Sequence, residues 1–368
     1  MKIVPLTKDQ YTAWDKFCLA SEQAWFWHTA QCLEYSLNYK PELNSRSLSF
    51  MVCEHNDILG ICPLVLEQLP SGNKRIKEFF NSGCGGHQAV PALKNGLSRE
   101  RKEKILKMIF GEVDRLALEA GVKRASFRFS PLARELKDDQ PVYNYLMKFG
   151  FLDSSLNTQI INLDLAEEKL MQNMRKGHKS DIKRGARDYI VEVYDKDNIK
   201  KMIFERYRLL HHKAAGRITR PLVTFEMMYQ WIVEGKGILC AAKQAKPNSD
   251  YIGFAFIIIY KQGAYYGSYS DDPEVKVEVP LAHIIQWRTI NWLKQRQIKR
   301  YELGTQQFGP QFYDYPSKKD LNIALFKRGF GGQTEFYFRG EKFYDKEYMQ
   351  SVFEKRTSSL LNLAESLS

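Results

Sequence analysis

A set of short resemblances recurs in the same order in the two halves of this chain, and that repetition restricts the fold more than any single motif does. "DILGICPLVLE" from Asp57 and "DYIGFAFIIIY" from Asp250 lie 193 residues apart, and each leads through Gly60 or Gly253 into an apolar run that reads as a buried strand. "AVPAL" at 89–93 and "EVPLA" at 278–282 each precede an amphipathic helix, predicted over 102–119 and 280–296. Each helix runs into a basic pair and a strand, "VKRASFRF" with Lys123 and Arg124 and "IKRYELG" with Lys299 and Arg300, at an offset of 176. "YLMKFGF" with Lys148 and "ALFKRGF" with Lys327 follow at an offset of 179. Each match alone is common; their collinearity implies a tandem duplication. Both halves then read as strand, helices, antiparallel strands, helix, strand, helix and strand, an α/β (α+β) unit with helices packed on a mixed sheet.

The length of 368 residues agrees with two domains at a prior of about 150 residues each. The boundary falls in "FLDSSLN", where Asp, Ser and Asn interrupt the pattern, so domains are expected at 1–155 and 156–345. Residues 346–368 read as a C-terminal helix packing back on the domains. Hydrophobic residues at 44% and the absence of low-complexity tracts exclude a disordered chain. "MKIVPLTKDQ" lacks the apolar core of a signal peptide, and no run approaches a membrane span, so a cytoplasmic location is expected. The six cysteines form no CxxC pair and read as free thiols, and with seven dispersed histidines no structural metal site is expected.

A formal charge of +12 favours anionic partners such as phosphates, nucleic acid or a membrane surface. Much of it is concentrated in "NMRKGHKSDIKRGARD", residues 173–188, where six Lys or Arg face two Asp. On a helix starting at an Asp164 cap, with Glu167 completing a capping box, Arg175, Lys176, Lys179, Lys183, Arg184 and Arg187 share one half of the circumference. Leu170, Met171, Met174, His178, Ile182 and Tyr189 gather on the other, which makes His178 a core-edge residue. A merely solvated face would interleave acids for i to i+4 pairing, and this one scarcely does. Lys179, Lys183 and Arg187 are therefore taken as binding an anionic ligand. Gly177 and Gly185 point to close packing or a bend.

Other stretches carry chemistry more thinly. A helix predicted over 198–214, with Ile199, Met202, Ile203, Leu209 and Leu210 as core, stops at Gly216 and leaves Arg217 and Arg220 in a loop suited to phosphate or carboxylate contacts. Surface salt bridging is the bland alternative for both. "GAYYGSYSDD" ends a strand with Tyr269, a substrate contact, and Asp271, which either accepts a proton from an incoming amine or caps a turn. "YELGTQQ" sets Glu302, Gln306 and Gln307 around a strand end, with Gln306 as a hydrogen-bonding contact to substrate. "NSGCGGHQAVP", with Gly83, Cys84, Gly85, Gly86 and His87, reads as tight turns, and Cys84 has no assignable catalytic partner.

The duplicated order, with "FWHTAQCLEYSL", "ILGICPL", "MRKGHKSDIKRGARD", "YYGSYSDD", "PLAHIIQWRTINWL", "YELG" and "FKRGFGG", resembles the tandem acyl-CoA N-acyltransferase (GNAT) fold of the Fem-type peptidoglycan aminoacyltransferases and their BioF2-like acetyltransferase relatives. The resemblance covers nearly the whole chain. It implies transfer of an activated acyl or aminoacyl group to an amine of a cell-wall or surface-glycan precursor, with the donor on the second half. It also implies no tightly bound cofactor, the co-substrate being aminoacyl-tRNA or acyl-CoA, and no DNA partner; peripheral contact with a membrane surface fits the basic charge. Phe326 and Lys327 match the Phe-Lys pair that the family places beside the donor, an aromatic face for a base and a cation for phosphate or oxyanion. The family's conventional acetyl-CoA members hold pyrophosphate in a glycine-rich loop, whereas here "DDPEVKVEVP" from Asp271 to Pro280 has no glycine and is rich in acids. Two other readings remain open at this stage: an acyl-CoA-dependent N-acetyltransferase of an amino sugar or small amine, and a non-catalytic protein binding RNA or an anionic glycolipid.

Overall fold

The computed structural model describes residues 1–133 and 143–365, so the last three residues of the expected 346–368 helix lie outside it. The chain forms two compact units: Met1–Asn157 with Gln307–Leu321 and Phe336–Ser368, and Thr158–Gln306 with Asn322–Glu335.

In the first unit, strands β1 (Lys2–Pro5), β2 (Phe50–Glu54) and β3 (Asp57–Cys62) form an antiparallel sheet closed by Ala92–Leu93. Helices α1 (Tyr11–Ala20) and α2 (Ala30–Tyr39) precede the last two strands. The chain then runs through β4 (Val65–Ser71), β5 (Lys74–Phe79), the 22-residue α3 (Arg99–Ala120) and β6 (Val122–Arg128). Ser98 caps α3 by accepting the Arg101 N–H, and Gly121, at φ +69°, ends it.

In the second unit come β7 (Leu156–Asn162), α4 (Glu167–Asn173), α5 (Lys176–Asp188), β8 (Tyr189–Tyr194), α6 (Lys201–Ala215) and α7 (Leu222–Val233). The hairpin series β9 (Gly237–Gln244), β10 (Tyr251–Tyr260) and β11 (Gly263–Asp271) follows, then α8 (Leu281–Gln295), β12 (Arg300–Gln306), α9 (Lys318–Arg328) and β13 (Gln333–Tyr337). The sheet order is β8-β9-β10-β11-β12-β7-β13. Nine α8 side chains are buried, among them Ile284, Ile285, Ile290 and Leu293, because the helix is covered by the sheet on one side and by α5 on another. Truncating one of them to Ala removes packing worth about 2–5 kcal/mol.

The repeated glycines have one purpose in both halves. A Cβ on Gly60 would come within 2.9 Å of Leu93 and 3.3 Å of Ile105 of α3, and one on Gly253 within 3.0 Å of Leu281 of α8. In each unit the bare backbone lets the crossover helix lie close on the sheet.

The chain's last strand is where the arrangement departs from a simple succession of domains. Strand β14 (Arg339–Phe343), expected with the 156–345 domain, pairs antiparallel with β6, Lys342 opposite Ala125, and on its other side with Leu152–Asp153. It therefore completes the first unit's sheet. Helix α10 (Lys346–Glu365) belongs to the same unit, where Arg356 pairs with Glu341 and Tyr348 donates to Glu78 at 2.7 Å.

Two local expectations are corrected. The basic stretch is not one helix from an Asp164 cap: α4 starts after Ala166 with no side-chain cap, and Met174 and Arg175, in extended conformation, separate it from α5. Asp164 donates its N–H to the Asn162 side chain instead. In α6 the buried face is Phe204, Tyr207 and Leu210, while Met202 and Leu209 are 72% and 50% exposed. Leu210 is buried as expected, and Phe204 and Tyr207 share its face and add the larger apolar area.

Candidate functional site

Parallel strands β11 and β12 pair at only three positions, Gly263 with Arg300, Ala264 with Tyr301 and Tyr265 with Glu302. Beyond Tyr265, β11 stays paired with β10 as far as Asp271, but its register shifts between Phe256 and Ile257, which leaves Gly267 without a cross-strand position. The bulge turns β11 away from β12. A side chain cannot be added there cheaply, since a Cβ on Gly267 would lie 3.1 Å from the Phe256 carbonyl oxygen. The two strands thus open a wedge whose walls are Tyr266–Asp271 and Leu303–Gln306.

Lys327, on the last turn of α9, reaches into this opening. Its Nζ lies 3.5 Å from the Thr305 carbonyl oxygen and 3.1 Å from where a Cβ on Gly304 would sit. Gly304 has φ +91°, a conformation other residues resist, and the missing side chain is what admits the ammonium; the same Cβ would stand 3.7 Å from Tyr265 Oη. Burial lowers the Lys327 pKa to about 8, against the opposing pull of the Glu302 carboxylate. Glu302 is itself buried and accepts the Thr158 hydroxyl at 2.8 Å. The result is a desolvated cation facing a gap between strands, the arrangement that binds a developing negative charge most strongly.

The other residues singled out from sequence fall in three groups. Asp271 and Tyr269 stand on the β11 wall; Asp271 is exposed and accepts the Tyr269 hydroxyl at 3.2 Å. Gln306 is on the opposite wall but buried, its Oε1 accepting from Arg328 Nη1 at 3.0 Å. Phe326 packs in an aromatic cluster with His178, His283 and Phe330, at centroid distances of 5.5, 5.1 and 5.0 Å.

That cluster joins the cationic helix to the site. His178, buried on α5, has its Nε2 2.9 Å from the Phe326 carbonyl oxygen, and Arg175 donates its N–H to the Gly329 carbonyl at 2.9 Å. Burial lowers the His178 pKa, so the ring is neutral near pH 7. His178, Ile182 and Gly185 are buried while Lys176, Lys183, Arg184 and Arg187 are exposed and Lys179 is half-buried. Gly185 packs on Ile284 of α8, 3.0 Å from where its Cβ would be, and Gly177 meets open space.

Arg217 is exposed, beyond the Gly216 cap of α6, whereas Arg220 lies over the Phe225 ring at 4.8 Å and within 3.1 Å of His211 Nε2. The glycine-free loop after β11 is held by acids: Lys213 of α6 bonds both Asp272 and Glu274 at 2.7 Å. Tyr265, Thr305, Gly304 and Gly267 escaped the sequence reading. The signal available for them was the glycine inside each strand pattern, "YYGS" and "ELGT", which marks a bulge or a close approach.

Among the described residues, no helix is long and apolar enough to cross a membrane, and no group of three His, Cys, Asp or Glu side chains is placed to hold a metal.

No protein-family model matches the chain, and no curated protein sequence does. Solved structures do. The crystal structure of FemX is similar over 96% of this chain and 100% of its own, with TM-score 0.67 at 12% identity. The L-PGS structure from Bacillus licheniformis is similar over 89% of this chain and 96% of its own, with TM-score 0.53 at 11% identity. A tandem GNAT protein from the clavulanic acid biosynthesis pathway covers 93% of this chain and 98% of its own, with TM-score 0.51 at 12% identity. At these identities the likeness establishes the fold: two GNAT-type α/β units in tandem, as the sequence resemblance implied.

Proposed function

We propose that this protein transfers an activated acyl or aminoacyl group to an amine of a cell-wall or surface-glycan precursor. The observation that carries the reading is the Lys327 ammonium, desolvated and aimed into the gap between β11 and β12. The amine nitrogen attacks the donor carbonyl, the oxygen gains negative charge, and Lys327 stabilises it. The C–N bond forms as the ester C–O or thioester C–S bond breaks, and the amine's surplus proton passes through the exposed Asp271 carboxylate or water to the departing oxygen or sulfur, which leaves as an alcohol or thiol. Holding the two reactants in one wedge supplies much of the remaining rate by removing the entropy of encounter.

The donor's anionic part fits Lys179, Lys183 and Arg187 on α5, the helix that Arg175 and His178 fasten to the end of α9. The acid-rich, glycine-free loop at Asp271–Pro280 is ill suited to pyrophosphate, which favours aminoacyl-tRNA over acyl-CoA. The test is incubation with charged tRNA and, separately, with acyl-CoAs, followed by mass spectrometry of candidate amine acceptors. Product from the wild type, formed about 10²–10³-fold more slowly by Lys327→Met, supports the reading. Acylation of no amine by any donor, together with tight binding of RNA or anionic glycolipid, replaces it with a non-catalytic binding protein.

A further inference from the structure

In the first unit the corresponding strands, β5 and β6, part after Phe79, and the chain that follows makes a tight turn, Ser82–Cys84, with Gly85 and Gly86 at φ +69° and +89°. The turn brings Cys84 against α2, where its sulfur lies 3.2 Å from that of Cys32. Both side chains are buried, at 4% and 1% exposure. Each is held by its own backbone: Asn81 Oδ1 accepts the Cys84 N–H at 3.1 Å, and Thr29 Oγ1 accepts the Cys32 N–H at 3.2 Å. Cys18, Cys62 and Cys240 have oxygen partners, the carbonyls of His28 and Pro63 and the Thr289 hydroxyl. Among the described residues, Cys32 and Cys84 are set sulfur to sulfur.

We propose that Cys32 and Cys84 are a redox pair that closes to a reversible disulfide when the protein meets a peroxide. The sulfurs need to approach by little more than 1 Å to reach the bonded separation of about 2.05 Å. Cys84 is the attacking thiol. The hydrogen bond from Cys32 favours its thiolate, as does the nearby Arg128 guanidinium, one of whose nitrogens lies 3.5 Å from where a Gly85 Cβ would be, so its pKa is lowered. Ser36 Oγ, 3.7 Å from the Cys84 sulfur, is a further hydrogen-bond partner.

The chemistry balances with one peroxide. The Cys84 thiolate attacks a peroxide oxygen, an S–O bond forms, the O–O bond breaks, and the departing oxygen leaves as hydroxide. The Cys32 sulfur then attacks the Cys84 sulfur, displacing the second oxygen as hydroxide while the S–S bond forms. Protons from the two thiols make both hydroxides water. Two thiols are oxidised and one peroxide is reduced, and a dithiol reductant reverses the change.

The test uses the full-length protein treated with hydrogen peroxide in its folded state, quenched in acid, alkylated in denaturant and digested. The expected result is a single cross-linked peptide pair joining Cys32 to Cys84, the loss of two alkylatable thiols and of the mass of two hydrogens, and full recovery with dithiothreitol. Cys32→Ser and Cys84→Ser should each abolish the cross-link, and Cys240→Ser should leave it. Because a serine in this core can impair folding, the wild-type peptide map stands as the independent readout. All cysteines still reduced in protein that remains folded, a different pairing, or sulfinic acid at Cys84 without the cross-link would each overturn the proposal.

Discussion

In both units a parallel pair of strands joined by a crossover helix comes apart, but what happens at the parting differs. In the first unit β5 leaves β6 after Phe79, and Gln88–Ala89 takes up the vacated place, pairing in parallel with Phe127 and Arg128. The Gln88 side chain completes the repair, accepting the Val65 N–H at 2.9 Å and donating to the Val65 carbonyl at 2.8 Å. In the second unit β11 leaves β12 after Tyr265, and no further strand takes up the place among the described residues. The matching lysines diverge in the same sense. Lys148 is exposed, 3.6 Å from Glu103 and over the Tyr143 ring at 5.1 Å, whereas Lys327 is desolvated inside the opening. One fold therefore yields a sealed sheet and an open one, and the difference lies in a two-residue strand and the surroundings of one lysine.

The largest effect that separates the halves should come from the lysines. Lys327→Met is expected to lower the transfer rate by about 10²–10³-fold, the usual loss when a donor to an oxyanion is removed, while Lys148→Met leaves it within experimental error; equal losses would erase the distinction. In the sealed half, Gln88→Ala leaves the buried Val65 N–H and carbonyl unpaired. It should destabilise the protein by roughly 2 kcal/mol in urea denaturation with kcat unchanged. Next, Gly304→Ala puts a Cβ on a residue at φ +91° and against the lysine. About 1–2 kcal/mol of strain and an activity loss of similar size are expected, with kcat more affected than KM.

A smaller effect, about tenfold at low salt, is expected from reversing Lys179, Lys183 and Arg187 to Glu, with the slope of log affinity for an RNA or CoA donor against log salt flattened by roughly 1–3. Circular dichroism should be unchanged, and unaltered donor binding would return α5 to a solvated face. The smallest is a pH effect. With its pKa lowered from 10.5 to about 8, Lys327 is charged below pH 8 and neutral above it, so oxyanion stabilisation falls as pH rises through about 8, and Lys327→Arg should remove that limb from the rate profile. Stability runs the other way. The unfolded state binds the extra proton between about pH 8 and 10.5, so this group alone makes folding more favourable as pH climbs through that range.

The duplicated order of elements was legible because it rests on local signals: Gly60 and Gly253 before apolar runs, and 3.6-residue periodicity in the crossover helices. The one-sided basic face of α5 was legible for the same reason, and His178 fell on the buried side of it. The exchange of β14 was not, since Lys342 pairs with Ala125 more than two hundred residues away and neither segment carries a mark of the other. Nor was the seal at Gln88, which is too short a strand to show alternation and stood in a stretch read as turns. At the site, Lys327 was reached through a family resemblance, while Glu302, Thr305 and Tyr265 acquire their meaning only when the strands diverge. Phe326 was read as a stacking face for a base, and its contacts with His178, His283 and Phe330 come from residues distant in sequence.

The exchanged strand also has a consequence for how the protein comes into being. On a ribosome the first half emerges with one edge of β6 bare, an unpaired row of N–H and C=O groups on Arg124–Arg128 that Arg339–Phe343 later covers. That sheet cannot be finished until residues 339–343 have been made. A fragment ending near residue 155 would carry this bare border permanently, and truncation there is a recipe for aggregation rather than for an isolated domain.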